Sequence, residues 1–250
     1  MAAQPIPPPP TPVPTPEPTG LSQSARVVDT FIAPKKTFLD IRRSAQWWLP
    51  FLLIVLASWA LAYVALQKMG AQKLLENDLH ARPKAEAQYE NATPEVRAAQ
   101  IKGTGIAVYI IPPVFLMLIW LLMAGLQFGT FKFGANADIS FSKSLAVVVY
   151  AGLPMMLRSL LGIVSVLAGA SADGFTLSNP IASNPGYFMD PASNPFLYFI
   201  ASQLDVFLLW TLVLTAIGFA TTGKIKLGTS FAVVIGWWVV ITLAFSTLFS

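Results

Sequence analysis

Long apolar stretches alternate with short polar ones along this chain. Five apolar runs stand out, at about residues 47–66, 106–128, 145–170, 196–220 and 231–249. The first is about 20 residues, or roughly 30 Å as a helix, which matches the hydrocarbon thickness of a bilayer. The second contains Pro112 and Pro113, which predict a kink, and Gly125-x-x-x-Gly129, which permits close helix contact. The pattern predicts an all-α polytopic membrane protein with five transmembrane helices. Composition agrees: hydrophobic residues are 55% of the 250 and charged residues only 11%, less than half the share of roughly a quarter that covers a soluble domain.

Two segments precede the runs. Residues 1–20, MAAQPIPPPPTPVPTPEPTG, are dominated by proline, which removes amide donors and favours extended polyproline II, so they are expected to form a disordered tail. Residues 21–46 are amphipathic, with Val27, Val28, Phe31, Ile32, Phe38, Leu39 and Ile41 set among Lys35, Lys36, Arg42 and Arg43. They predict one or two short juxtamembrane helices on the membrane surface, Pro34 opening a first turn and the basic face meeting anionic lipid. A docking face for a soluble partner is the alternative. No apolar core for a cleavable leader occurs in residues 1–30, so the first span is expected to remain in the mature protein. The remainder, 47–250, is the five-span membrane domain.

Charge sets the orientation. The net charge is +4, but Lys and Arg flank apolar runs, as insertion requires, which argues against nucleic acid as a partner. Arg26, Lys35, Lys36, Arg42 and Arg43 precede span one, Lys132 and Lys143 follow span two, and Lys224 and Lys226 follow span four. The loop at 171–195 has none, so the N-terminus is expected in the cytoplasm and the C-terminus outside. The loop at 68–103 disagrees, with six basic residues placed outside by alternation. It is predicted to be helical over 71–80 and to restart at Thr93-Pro94-Glu95, where Thr caps and Pro takes the first helical position. The loop at 171–195 repeats Ser-Asn-Pro at 178–180, 183–185 and 193–195, which signals turns.

The catalytic inventory is thin. Cysteine is absent, which excludes disulfides and thiolate chemistry, and His80 is the single histidine. Neither a Ser-His-Asp relay in the membrane nor a multi-His metal site can be assembled. Gly218 to Lys224 resembles a phosphate loop, but Ile225 stands where Ser or Thr should hold magnesium, and no strand precedes it. No enzyme, cofactor or metal site is predicted.

Two ionisable residues fall within the spans, Arg158 and Asp205. Tyr150, Pro154 and Arg158 recur every four residues, so in a helix they share one face. An ionised Arg deep in an apolar run costs about 2.5 to 3.5 kcal/mol on insertion scales and turns inward to a partner. Arg158 lies about 12 residues from the outer end of its run and Asp205 about 9 from the start of the next, roughly 18 and 14 Å along the axes. Matching depth predicts an intramembrane pair, either a structural lock between spans three and four or a charge-lined site in a small transporter or channel subunit. Trp47 and Trp48 suit an interface anchor, whereas Trp59, Trp120, Trp210, Trp237 and Trp238 suit packing or lipid contact.

The order of motifs resembles the YIP family, the Ypt/Rab-interacting proteins, in its prokaryotic branch. The residues that carry this are Phe31-x-x-Pro34-x-x-Thr37-Phe38 before span one, Tyr150-x-x-x-Pro154 in the third, and Leu204-Asp205-x-Phe207-x-x-Trp210 opening the fourth. The family's third span carries Gly-Tyr-x-x-x-Pro, and here Val149 replaces the Gly. Its acidic Asp-Leu-Tyr-Gly-Pro motif before span one is absent. The resemblance implies a non-enzymatic integral membrane protein acting in membrane organisation or trafficking through protein partners, small GTPases of the Rab class in eukaryotic relatives. Membrane lipid and unidentified proteins are the expected partners, and an oligomer is compatible with the sequence.

Overall fold

A computed structural model describes residues 20–246 of the chain. The expected proline-rich tail falls, but for Gly20, outside the described residues, as do the last residues of the fifth apolar run. The described residues form ten α-helices in the order α1 (Gln23–Ile32), α2 (Pro34–Ile41), α3 (Trp48–His80), α4 (Pro83–Glu90), α5 (Pro94–Gly129), α6 (Phe141–Ala151), α7 (Pro154–Leu167), α8 (Pro195–Ser202), α9 (Val206–Gly223) and α10 (Leu227–Ser246). There is no strand among them. Five helical segments are long and apolar enough to cross a membrane: α3, α5 with the π-helical turn Thr130–Gly134, α6 with α7, α9, and α10. The fold is the expected all-α, five-span membrane architecture.

Local chemistry explains where these helices begin and bend. Thr93 starts α5 as its N-cap, its hydroxyl accepting from the Val96 amide at 3.4 Å, with Pro94 in the first turn. The stretch 71–80 is continuous with span one, joined through Gly70, which adopts the φ of +81° that glycine tolerates. Pro112 and Pro113 do not end α5, which runs unbroken from Pro94 to Gly129. Pro113 has no N–H to offer the Tyr109 carbonyl four residues earlier. Trp59 of α3 supplies that donor instead, its indole Nε1 lying 2.7 Å from the Tyr109 oxygen. Among the described residues, Gly125 and Gly129 do not mediate a helix contact: a Cβ on Gly125 would meet only the Phe141 ring, at 4.0 Å, and one on Gly129 would meet open space.

The third apolar run divides at Gly152 and Leu153, where α6 stops and Pro154 restarts the helix as α7. The main core sits beneath this break, around α2, α6 and α9, and includes Phe38, Val147, Tyr150 and the stacked rings of Phe131 and Phe219, 4.6 Å between centroids. A smaller cluster of Leu61, Ala65, Leu74, Val166 and Phe175 holds α3, α7 and the 168–194 loop together at the opposite end. Phe38 enters its place because residue 218 is glycine; a Cβ there would lie 2.5 Å from Val147 Cγ1 and 3.0 Å from the Phe38 ring.

Candidate functional site

Two clusters of buried polar side chains flank the α6–α7 break. At the end away from the N-terminal segment, Arg158 of α7 places Nε 3.2 Å from Asp205 Oδ2 and donates from Nη2 to the Ser178 carbonyl at 2.7 Å. Asp205 does not lie inside a helix, contrary to its expected position some nine residues into the fourth span. The run at 196–220 breaks between α8 and α9, and Asp205 is the N-cap of α9, its Oδ1 accepting from the amides of Phe207 at 2.9 Å and Leu208 at 3.1 Å. The physical reason is the carboxylate's need for donors. A mid-helix position offers it no free backbone N–H, whereas a helix start offers several.

The Ser-Asn-Pro repeats complete this cluster. Ser183 donates its hydroxyl to Asp205 Oδ2, and Asn184 Nδ2 lies 3.4 Å from the same oxygen. Asn179 and Asn184, both buried, exchange side-chain amide bonds, the shorter at 2.7 Å. Asn184 and Asn194 also act as N-caps, accepting from the amides of Tyr187 at 3.0 Å and Leu197 at 2.9 Å, with Pro185 and Pro195 following in the first turn. Pro180 fits against Gly162, where an added Cβ would come within 3.1 Å. The loop thus folds into the helix bundle. Irregular backbone is tolerated at membrane depth when protein surrounds it and satisfies its polar groups. A cavity of about 380 Å³ lies beside Arg158, lined also by Arg82, Asn179, Ser202 and Gln203.

The second cluster lies at the N-terminal end. Arg26 of α1 is only 1% exposed, with Nε 2.6 Å from Asp40 Oδ2 of α2 and Nη1 2.9 Å from the Ser44 carbonyl. Its own carbonyl accepts from the hydroxyls of Thr30 at 2.7 Å and Thr37 at 3.0 Å. Arg43 reaches the other Asp40 oxygen at 3.1 Å. Burial alone would raise the Asp40 carboxyl, but hydrogen bonds and charge from Arg26, with Arg43 adding to them, hold it below the ordinary carboxylate value. Tyr150 donates its phenol to Gln23 Oε1 at 2.6 Å, tying α6 to the start of α1.

These contacts pack one face of the juxtamembrane residues against the helix bundle. Phe38 and Ile41 are fully buried in the core, Phe31 packs edge-on against Trp210 with centroids 5.6 Å apart, and Pro34 opens α2 at the tip of an α1–α2 hairpin. The hairpin buries one face because its charges pair with each other and leave its apolar side free for the bundle. Tyr150 and Pro154 belong to one apolar run, but Tyr150 closes α6 toward the hairpin, whereas Arg158 joins the other cluster. Arg26 and Asp40 escaped the sequence because a charge in a polar stretch raises no alarm. The caps at Asn184 and Asn194 had a signal, the Asn-Pro step. His80 is an exposed link, its ring nitrogens 3.2 Å from Glu86 and 3.1 Å from Asp190.

Spans of apolar helix crossing from end to end, with charges paired inside, define a polytopic integral membrane protein. Residues 28–248 match the Yip1 domain, and the chain belongs to the Yip1 family. No curated protein and no solved structure matches the sequence. The matched range takes in Phe31, Pro34, Phe38, Tyr150, Pro154, Arg158 and Asp205, and leaves Gln23 and Arg26 just before it.

Proposed function

We propose that this protein is a non-enzymatic organiser of a prokaryotic plasma or inner membrane that acts through protein partners recruited at the α1–α2 hairpin, on the cytoplasmic side. The observation that carries this reading is the hairpin's outer face. Val28, Ile32 and Leu39 are exposed on the hairpin, Ile32 at 75%, and Leu39 lines an open cavity of about 910 Å³ together with Lys35, Lys36, Asp40 and Arg43. A rigidly held surface that combines apolar side chains with a basic rim suits a partner of acidic, amphipathic character. The test is crosslinking followed by pull-down from membranes. Ile32→Glu with Leu39→Glu should abolish a specific partner while leaving thermal unfolding unchanged, since neither side chain is in the core; retention of the partner would refute the reading. A reporter fused after Ser250 should be active only outside the cytoplasm.

Arg158 and Asp205 are best understood as a lock between α7, α9 and the 168–194 loop. The donors from Arg158, Ser183, Asn184 and the α9 amides occupy both Asp205 oxygens, which leaves little capacity for a substrate. The cavity beside Arg158 is the observation that favours transport instead. Flux into proteoliposomes that Asp205→Asn abolishes would establish that second reading.

A further inference from the structure

Two cavities meet at α8. The one beside Arg158, about 380 Å³, and a groove of about 320 Å³ between α5, α9 and α10 share Phe199 and Gln203 in their walls. Their chemistry differs. Two guanidinium groups, Arg82 and Arg158, line the first, and its one carboxylate, Asp78, is already paired with Arg82. Arg158 commits two of a guanidinium's five N–H donors, one from Nε to Asp205 and one from Nη2 to the Ser178 carbonyl. Nη1 has no acceptor among the described residues and is not one of the sealed, unpartnered side-chain atoms, and the side chain is 18% exposed. Asp205 is not part of the wall, and its oxygens are taken by Ser183, Asn184 and the α9 amides. The first cavity therefore has donors and positive charge in excess.

The groove on the other side of Phe199 and Gln203 carries no ionisable side chain. Its walls along α5, from Phe115 to Gln127, extend for about 18 Å, with Phe115 and Phe245 exposed. Of the five spans, α5 and α10 are also the least covered by the rest of the chain. We propose that the two cavities form one site for an acidic phospholipid of small headgroup, of which phosphatidic acid is the simplest, its phosphate held by Arg158 and an acyl chain laid in the groove. A guanidinium fork matches phosphate oxygens, and the spare Arg158 donors supply it where a neutral head would leave the charge unused. Gln203, half-buried with no side-chain partner among the described residues, stands at the junction, where an ester carbonyl can accept from its amide. Together the cavities fall in the range of about 300 to 1,000 Å³ usual for ligand sites. The site is separate from the hairpin surface, does not depend on the partner reading, and requires binding but no flux.

The experiment uses the full chain in phosphatidylcholine vesicles containing phosphatidic acid with a diazirine in its acyl chain. Photolabel should map to peptides of α5, α9 and α10 and be displaced by unlabelled phosphatidic acid, but not by diacylglycerol with the same chains or by inorganic phosphate. Arg158→Gln should reduce labelling roughly tenfold or more, the effect of losing hydrogen bonds from a charged donor. Gln203→Glu places a like charge at the junction and should also reduce it roughly tenfold. That variant keeps the Arg158 and Asp205 contacts, so it remains informative where Arg158→Gln perturbs folding. Equal displacement by diacylglycerol would show that the charge is not read, and equal displacement by inorganic phosphate would show a site for the free anion. Either result, labelling of Gln203→Glu equal to wild type, or no saturable labelling of wild type would overturn the proposal.

Discussion

The two ends of the bundle each carry a buried Arg–Asp pair, and they are built differently. Arg26 and Asp40 both belong to the hairpin, 2.6 Å apart, with Arg43 as a second cation on the same carboxylate. Arg158 and Asp205 come from different spans, 3.2 Å apart, and Asp205 is also a helix cap. One pair holds a hairpin in the shape that docks; the other ties α7 to α9 and to the loop between them. A buried charge pair is therefore best judged by what else its members hold, because breaking it releases those contacts as well.

Substitutions separate the two. Asp205→Ala removes the partner of Arg158, the acceptor of two α9 amides and the anchor of Ser183, and is expected to destabilise by about 3 to 5 kcal/mol, measured by thermal unfolding in detergent. Asp205→Asn keeps the capping oxygen, so its smaller loss isolates the ion pair. Combining Arg158→Asp with Asp205→Arg should not restore stability, since an arginine side chain cannot accept from the Phe207 and Leu208 amides; full recovery would show that the cap matters little. Arg26→Met is expected to cost about 3 kcal/mol, concentrated in the hairpin. Faster tryptic cleavage after Arg42 and Arg43, with the spans still protected, is its signature.

Acid should also act at the hairpin. The folded Asp40 carboxyl is held below its unfolded value, so its stabilisation is complete above the ordinary carboxylate pKa and is lost as pH falls through the lower, folded value. Hydrogen exchange in α1 and α2 should therefore rise in that acid window, below about pH 4, and stay flat from there to neutrality. An onset at neutral pH would assign the control to another group. The smallest effect is expected of Tyr150→Phe, which deletes the bond to Gln23 and keeps the ring, at about 1 kcal/mol in thermal unfolding.

Much of this architecture is legible in the sequence, for reasons that are local. Run length reports bilayer thickness directly, so the five spans stand out, and Thr93-Pro94 shows its cap without tertiary help. Arg158 is conspicuous because its run is otherwise apolar. The position of Asp205 was hidden because the break between α8 and α9 falls in 203–205, where neither Gly nor Pro marks it. Arg26 sits where charges are common, so its burial depends on docking that no local pattern encodes. Pro112 and Pro113 teach the complementary point: a breaker can be read from sequence, but its compensation by Trp59, fifty residues before the Tyr109 carbonyl it serves, cannot.

That compensation has a mechanical consequence. A proline pair normally makes a helix compliant, because one rung of its ladder is missing. With the Trp59 indole seated on the Tyr109 carbonyl, the soft point of α5 is splinted to α3, and the two long helices bend together as a single strut. Compliance then passes to Gly70, whose backbone lies outside the helical range. Trp59→Phe would remove the splint, and faster exchange of the Ile110, Ile111 and Val114 amides would show the hinge returning to α5.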